Sequence, residues 1–257
     1  MKNVSKHATT DDLVQYGSIT KMFTGSLVIK LIRKGIIQYT TTLGDIFPKK
    51  FNVSNKDSWP NAWKAVTIKE LLNMTSGVPA YLRSKGVWLK MNPHKAYSKD
   101  ALINLVSQYQ KKSGCVRKNG CFKPSSRWFY SNTNYIILGL VVEKYYKTSF
   151  KDAFDQTILQ TFQKKPMAIY YYLDYPKNVR RRMLHGYFEL SAIKGNPYLP
   201  LGKDVFNIPM YTMQSAGALT GTTNALTQII RAFFHNKIIP TRTVTQKKNI
   251  FNPRFSS

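Results

Sequence analysis

Between Ser18 and Lys34 the apolar residues Ile19, Met22, Phe23, Leu27, Val28, Leu31 and Ile32 recur two to a turn, and Gly35 follows where a helix C-terminal glycine belongs. The spacing predicts a helix that begins at or near Ser18. With 257 residues and 43% hydrophobic content, the chain is long enough to bury a substantial core around it, which excludes disorder and a stapled mini-protein.

Other helices can be read the same way. Thr67-Ile68-Lys69-Glu70 is a Thr-x-x-Glu capping box in front of Leu71, Leu72 and Met74, and Gly77 with Pro79 ends that short helix. Ser98 to Lys112 places Ala101, Leu102, Leu105, Val106 and Tyr109 on one face. Asn134 to Lys147, Ser149 to Phe162 and Thr223 to Phe234 complete the set. From Lys165 to Tyr211 prolines interrupt aromatic-rich pieces, which predicts short strands and loops. The chain has no internal repeat, and the tail after Pro240 is polar and basic.

Lys and Arg number 39 against 12 Asp and Glu, a formal charge of +27 that attracts polyanions. The cations are dispersed, as at Lys49-Lys50, Lys111-Lys112, Lys164-Lys165, Arg180 to Arg182 and Lys247-Lys248, and gather on no recognisable nucleic-acid module. They read as a solvated surface, with no specific nucleic-acid partner. No run approaches the roughly 18 apolar residues of a membrane span. Met1 to Asp12 carries no apolar stretch of the secretory-signal kind.

Two short patterns carry chemistry. Ser18 and Lys21 stand three apart at a helix start, hence on one face and within mutual reach. A serine hydroxyl becomes a useful nucleophile when a neighbouring base takes its proton, and a lysine serves as that base once burial lowers its pKa. In Tyr130-Ser131-Asn132 the phenol can pass a proton to a leaving group and the asparagine amide can fix a substrate amide. Each pattern alone also fits a plain structural role: an N-capping serine with an exposed lysine, or a half-buried tyrosine with Asn132 as a helix N-cap.

The text around these residues resembles the serine β-lactamase and penicillin-binding protein family, in particular class C β-lactamases and the related D-alanyl-D-alanine carboxypeptidases and esterases. The matching segments are Tyr16 to Gly25, Val66 to Pro79 and Tyr130 to Gly139, followed in order by Leu184 to Tyr187 and Ser215 to Thr223. The resemblance implies an α+β, DD-peptidase-like fold and an acyl transferase that needs no cofactor or metal. By that resemblance Ser18 attacks a carbonyl, Lys21 takes the proton, Tyr130 helps to shuttle it and Asn132 holds the substrate amide. A β-lactam, a D-Ala-D-Ala peptide or an ester is the implied substrate, and a periplasmic or extracellular location is implied with it. His185 falls in a segment that looks structural and is left out of the site.

The chain also departs from the family. Nothing after Ser215 supplies the third motif, a Lys-Thr-Gly or His-x-Gly on an edge strand, and Leu219-Thr220-Gly221 has the wrong first residue. Only Met1 to Gly17 precede the nucleophile, where the family has a pair of strands. The expectation is therefore a truncated β-lactamase-like domain over residues 1–235 with a basic tail over 236–257. Its helical lobe would be present, its antiparallel sheet incomplete at both ends, and Phe23, Leu27 and Leu31 short of cover. An inactive pseudoenzyme and a basic nucleic-acid or acidic-surface binder are the rival readings. Cys115 and Cys121 bracket Val-Arg-Lys-Asn-Gly and either close a small loop or stay free.

Overall fold

A computed structural model describes residues 7–84, 87, 91–92, 95–162, 167–171, 183–186 and 210–239. Among the described residues three short strands form one antiparallel sheet: β1 (Leu13–Gln15), β2 (Ile169–Tyr171) and β3 (Leu219–Thr222), in the order β1-β3-β2. Leu13 lies opposite Thr222 and Gln15 opposite Thr220, while Ile169 faces Gly221 across the other edge of β3. β1 was not anticipated from the sequence. Three residues are too few for a period of two to register, and only the pairing with β3 makes them a strand.

The helices are α1 (Thr20–Arg33), α2 (Leu43–Ile46), α3 (Ile68–Leu72), α4 (Lys99–Ser113), α5 (Asn132–Tyr146), α6 (Phe150–Thr157), α7 (Gln214–Gly217) and α8 (Thr223–Phe234). Local chemistry sets their starts. Thr42 with Asp45 and Thr67 with Glu70 make reciprocal capping boxes on α2 and α3, and Ser98, Ser149 and Thr222 cap α4, α6 and α8 through their hydroxyls. The helix expected over Ser149 to Phe162 is α6 followed by a 3-10 turn, Leu159–Phe162. Most of the stretch expected to hold short strands and loops, and the tail beyond Ile239, lie outside the described residues.

α5 is the hub. Tyr135, Ile136, Ile137, Leu138, Val141 and Val142 are all buried, so it is apolar around its circumference, and α1, α3, α4, α6 and α7 pack on it. Phe23, Leu27 and Leu31 are 0%, 0% and 1% exposed, which corrects the expectation that they lack cover. Helices do the covering: the Phe23 ring stands edge-on to Phe154 of α6 at 5.3 Å, and α5 and α7 close the rest of that face. No helix among the described residues is long and apolar enough to cross a membrane.

Candidate active site

The position of Ser18 follows from the passage between β1 and α1. Tyr16 donates its N–H to the Leu219 carbonyl at 2.9 Å and its hydroxyl to Thr222 O at 2.6 Å, which ties the end of β1 to β3. Gly17 then takes a φ of +51°, a left-handed turn that a side chain resists, and starts the 3-10 turn Gly17–Ile19 that leads into α1. Ser18 is left exposed at a helix entrance, where first-turn N–H groups lack intrahelical partners.

Lys21 Nζ lies 3.1 Å from Ser18 Oγ, and Tyr130 donates its hydroxyl to the same oxygen at 2.7 Å. The sequence pairing of Ser18, Lys21 and Tyr130 is thus a contact triad, 112 residues apart along the chain at its widest. Lys21 is only 8% exposed, against 40% for Tyr130. Burial lowers the Lys21 pKa to about 7, and no described carboxylate pairs with it. The rings of Tyr130 and Tyr135, with centroids 4.9 and 5.8 Å from Nζ, favour the ammonium and oppose that shift. Such contacts are worth roughly 0.5–2 kcal/mol each, so burial prevails. Burial also raises the Tyr130 pKa, with the Ser18 hydrogen bond pulling the other way, so the phenol keeps its proton at neutral pH.

Lys21 has a second fixed partner that the sequence did not disclose. Nζ donates to the Ala216 carbonyl of α7 at 2.7 Å. Thr24, one turn further along α1, donates to Ser215 O at 2.6 Å, and Ser215 donates its own hydroxyl to Tyr135 O of α5 at 2.8 Å. Three helices therefore meet at the lysine. Backbone carbonyls leave no mark in a residue pattern; the only available signal was that Ser215 to Thr223 matches a family segment.

Asn132 is the first residue of α5, and Ser131, not Asn132, holds the N-cap position, without a side-chain capping bond. The helix-cap alternative for Asn132 is thereby removed. Its Oδ1 is buried with no protein partner, as is Ser131 Oγ beside it. Buried polar atoms are normally satisfied, and Trp59 Nε1, Asn104 Oδ1 and Thr220 Oγ1 share this lack of a protein partner among the described residues. Leu219-Thr220-Gly221 lies in β3, the central strand of the described sheet, and so does not supply the edge strand of the third motif. His185 is exposed in the short stretch beside β1, where Leu184 N–H donates to Leu13 O, and it forms no part of the triad.

Comparison with known proteins bears on the family and the fold. A family model described as Beta-lactamase matches residues 1–187. Penicillin-binding protein 4* of Bacillus subtilis (strain 168) is 26% identical over 250 residues, which is 95% of this chain and 49% of that protein. Among solved structures, D-amino acid amidase from Ochrobactrum anthropi SV3 superposes with a TM-score of 0.70 at 18% identity, covering 93% of this chain and 59% of that one. The D-stereospecific amidohydrolase from Streptomyces sp. gives 0.70 at 21% identity, over 96% and 66%. The chain thus spans about half the length of the Bacillus relative, and the structural likenesses establish a shared β-lactamase/DD-peptidase-like fold. By its sequence match and its fold, the chain belongs to the β-lactamase family of serine hydrolases and acyl transferases.

Proposed function

We propose that this chain is a serine acyl-transferring hydrolase whose nucleophile is Ser18. The observation that carries the reading is the convergence of Lys21 Nζ and the Tyr130 hydroxyl on Ser18 Oγ, with the lysine pKa near neutrality. Neutral Lys21 accepts the Oγ proton while Oγ bonds to the substrate carbonyl carbon and the carbonyl π pair moves onto its oxygen. The Ser18 N–H and the positive end of α1 favour that oxyanion. On collapse, the C–N or C–O bond to the leaving group breaks. The proton from Lys21 reaches the leaving atom, with Tyr130 as relay. Water then opens the ester on Ser18 by the reverse transfers.

Asn132 Oδ1 accepts the substrate amide N–H in this scheme, which selects acyl groups that carry an amide beside the reacting carbonyl. β-lactams and D-Ala-D-Ala peptides have that feature, and simple esters fit the rest of the site. Among the described residues Ser18 supplies one backbone donor to the oxyanion, and a second would add about 10²–10³ in rate. Incubation with a fluorophosphonate, followed by peptide mapping, should place one adduct on the Ser18 peptide. An adduct confined to another serine, or none at all, would remove Ser18 as the nucleophile.

A further inference from the structure

We propose that the disulfide loop Cys115–Cys121 is a positioning element for Tyr130, acting through Gly120 and Phe129, so that acylation of Ser18 depends on the state of that disulfide; this rests on the function proposed above. The two cysteines are bonded, and the loop between them contains the short turn Arg117–Asn119. Gly120 and Cys121 N–H groups return to Arg117 O and Val116 O, which keeps the loop closed on itself. Asn119 is buried and accepts the Ala80 N–H at 2.9 Å, so the loop is moored to the segment after α3.

Gly120 is where the loop meets the segment that carries Tyr130. Its φ is +85°, and a Cβ built there would lie 2.3 Å from Phe129 Cδ1 and 2.7 Å from Cε1. The Phe129 ring therefore rests directly on the Gly120 backbone. Phe129 N–H donates to Met74 O at 3.0 Å and Ser131 N–H to Met74 Sδ at 3.4 Å. Two N–H groups two residues apart pointing at one partner describe an extended segment, in which neighbouring side chains take opposite faces. Phe129 on one face is held by the loop, and Tyr130 on the other delivers its hydroxyl to Ser18. A phenol acting as proton relay tolerates little displacement, so loosening the Phe129 seat should be felt at Ser18 before the core notices it.

Two measurements decide the matter. Amide hydrogen exchange of the Phe129 to Ser131 segment should accelerate about tenfold or more when wild-type protein is reduced, and recover on reoxidation. Unchanged exchange overturns the proposal. The second measurement is a cycle on fluorophosphonate labelling rates: Cys115→Ser/Cys121→Ser, and separately Gly120→Ala, each in wild-type and Tyr130→Phe backgrounds. Each loop change should slow labelling about tenfold in the wild type and not at all in Tyr130→Phe, because the loop would act through that phenol. Equal slowing in both backgrounds shows general support of the fold and overturns the proposal. Absence of any Ser18 adduct in the wild type would instead count against the proposed function, and the exchange measurement would still decide the bracing.

Discussion

Replacement of Lys21 by methionine is expected to slow acylation of Ser18 by about 10²–10⁴-fold, the usual contribution of a general base, while making the protein more stable at pH 7. Both effects come from one fact, the burial of an amine that no described carboxylate compensates. The Lys21 pKa is about 7 in the folded chain against 10.5 for a free lysine. Between those values the unfolded state binds the extra proton, so wild-type stability rises with pH, by at most about 1.4 kcal/mol per unit. At pH 7 the fold therefore carries nearly the whole cost of holding the amine neutral. Methionine removes that cost but leaves the Ala216 carbonyl without its donor, and a net gain of about 2–4 kcal/mol is expected. Denaturant unfolding from pH 7 to 10 should show the slope in the wild type and its loss in Lys21→Met. The wild-type acylation rate should rise through pH 7 and then level off as the amine becomes neutral. A variant acylated at the wild-type rate would assign the base to another group; one with unchanged stability would mean that the amine is paid for by solvent.

Gly139→Ala is expected to destabilise by about 2–4 kcal/mol, although alanine in a helix interior ordinarily gains about 1 kcal/mol over glycine. The sign reverses because α5 and α7 touch at this position. A Cβ at residue 139 would come 2.1 Å from Ser215 Oγ, 2.6 Å from Ser215 Cβ and 3.0 Å from Lys99 Cε. Ser215 cannot swing away without giving up its bond to Tyr135 O, and its own carbonyl holds Thr24. The next residue supplies the carbonyl that seats Lys21. Displacing α7 therefore reaches Lys21 as well as the core, and labelling of Ser18 should fall together with the melting temperature. Ser215→Gly in the same chain should restore much of the stability, since it removes both of the atoms closest to the new methyl. If Gly139→Ala melts at or above the wild-type temperature, the close approach of the two helices is wrong.

The parts of this molecule that were legible beforehand are those in which a residue's own chemistry settles its place. The apolar period after Ser18, the Thr67–Glu70 box and the starts near Ser98, Ser149 and Thr223 all became helices within a residue or two, except that α5 begins two residues early, at Asn132. Ser18, Lys21 and Tyr130 could be singled out by side-chain type, and the structure brings the three into contact. What the residues did not disclose is what depends on distant backbone. β1 exists through its ladder with β3, the lysine is seated by the Ala216 carbonyl, and the apolar face of α1, expected to lack cover, is closed by α5, α6 and α7. The Cys115–Cys121 pair stood as an open choice between bridged and free, and its contact with the catalytic segment runs through a glycine hydrogen that no pattern marks.

Several of the described carboxylates hold the fold together. Asp45 and Glu70 close the capping boxes of α2 and α3, Asp152 accepts from Ser149 and Thr148 at the start of α6, and Glu143 and Asp100 pair with Lys99 and Lys50. The hydroxyl bonds from Thr42 and Ser149 hold Asp45 and Asp152 below the ordinary carboxylate pKa. A depressed folded value means that their contribution is present above the normal range and is lost as the pH falls through the folded value. Acid would thus remove the Asp45 and Asp152 side-chain bonds at the starts of α2 and α6, and carboxylate protonation would leave 39 Lys and Arg unopposed. Acidification should produce a steep collapse of ellipticity. Added salt should soften it only in part, because screening relieves repulsion among the cations but cannot restore a hydrogen bond whose acceptor has become an acid.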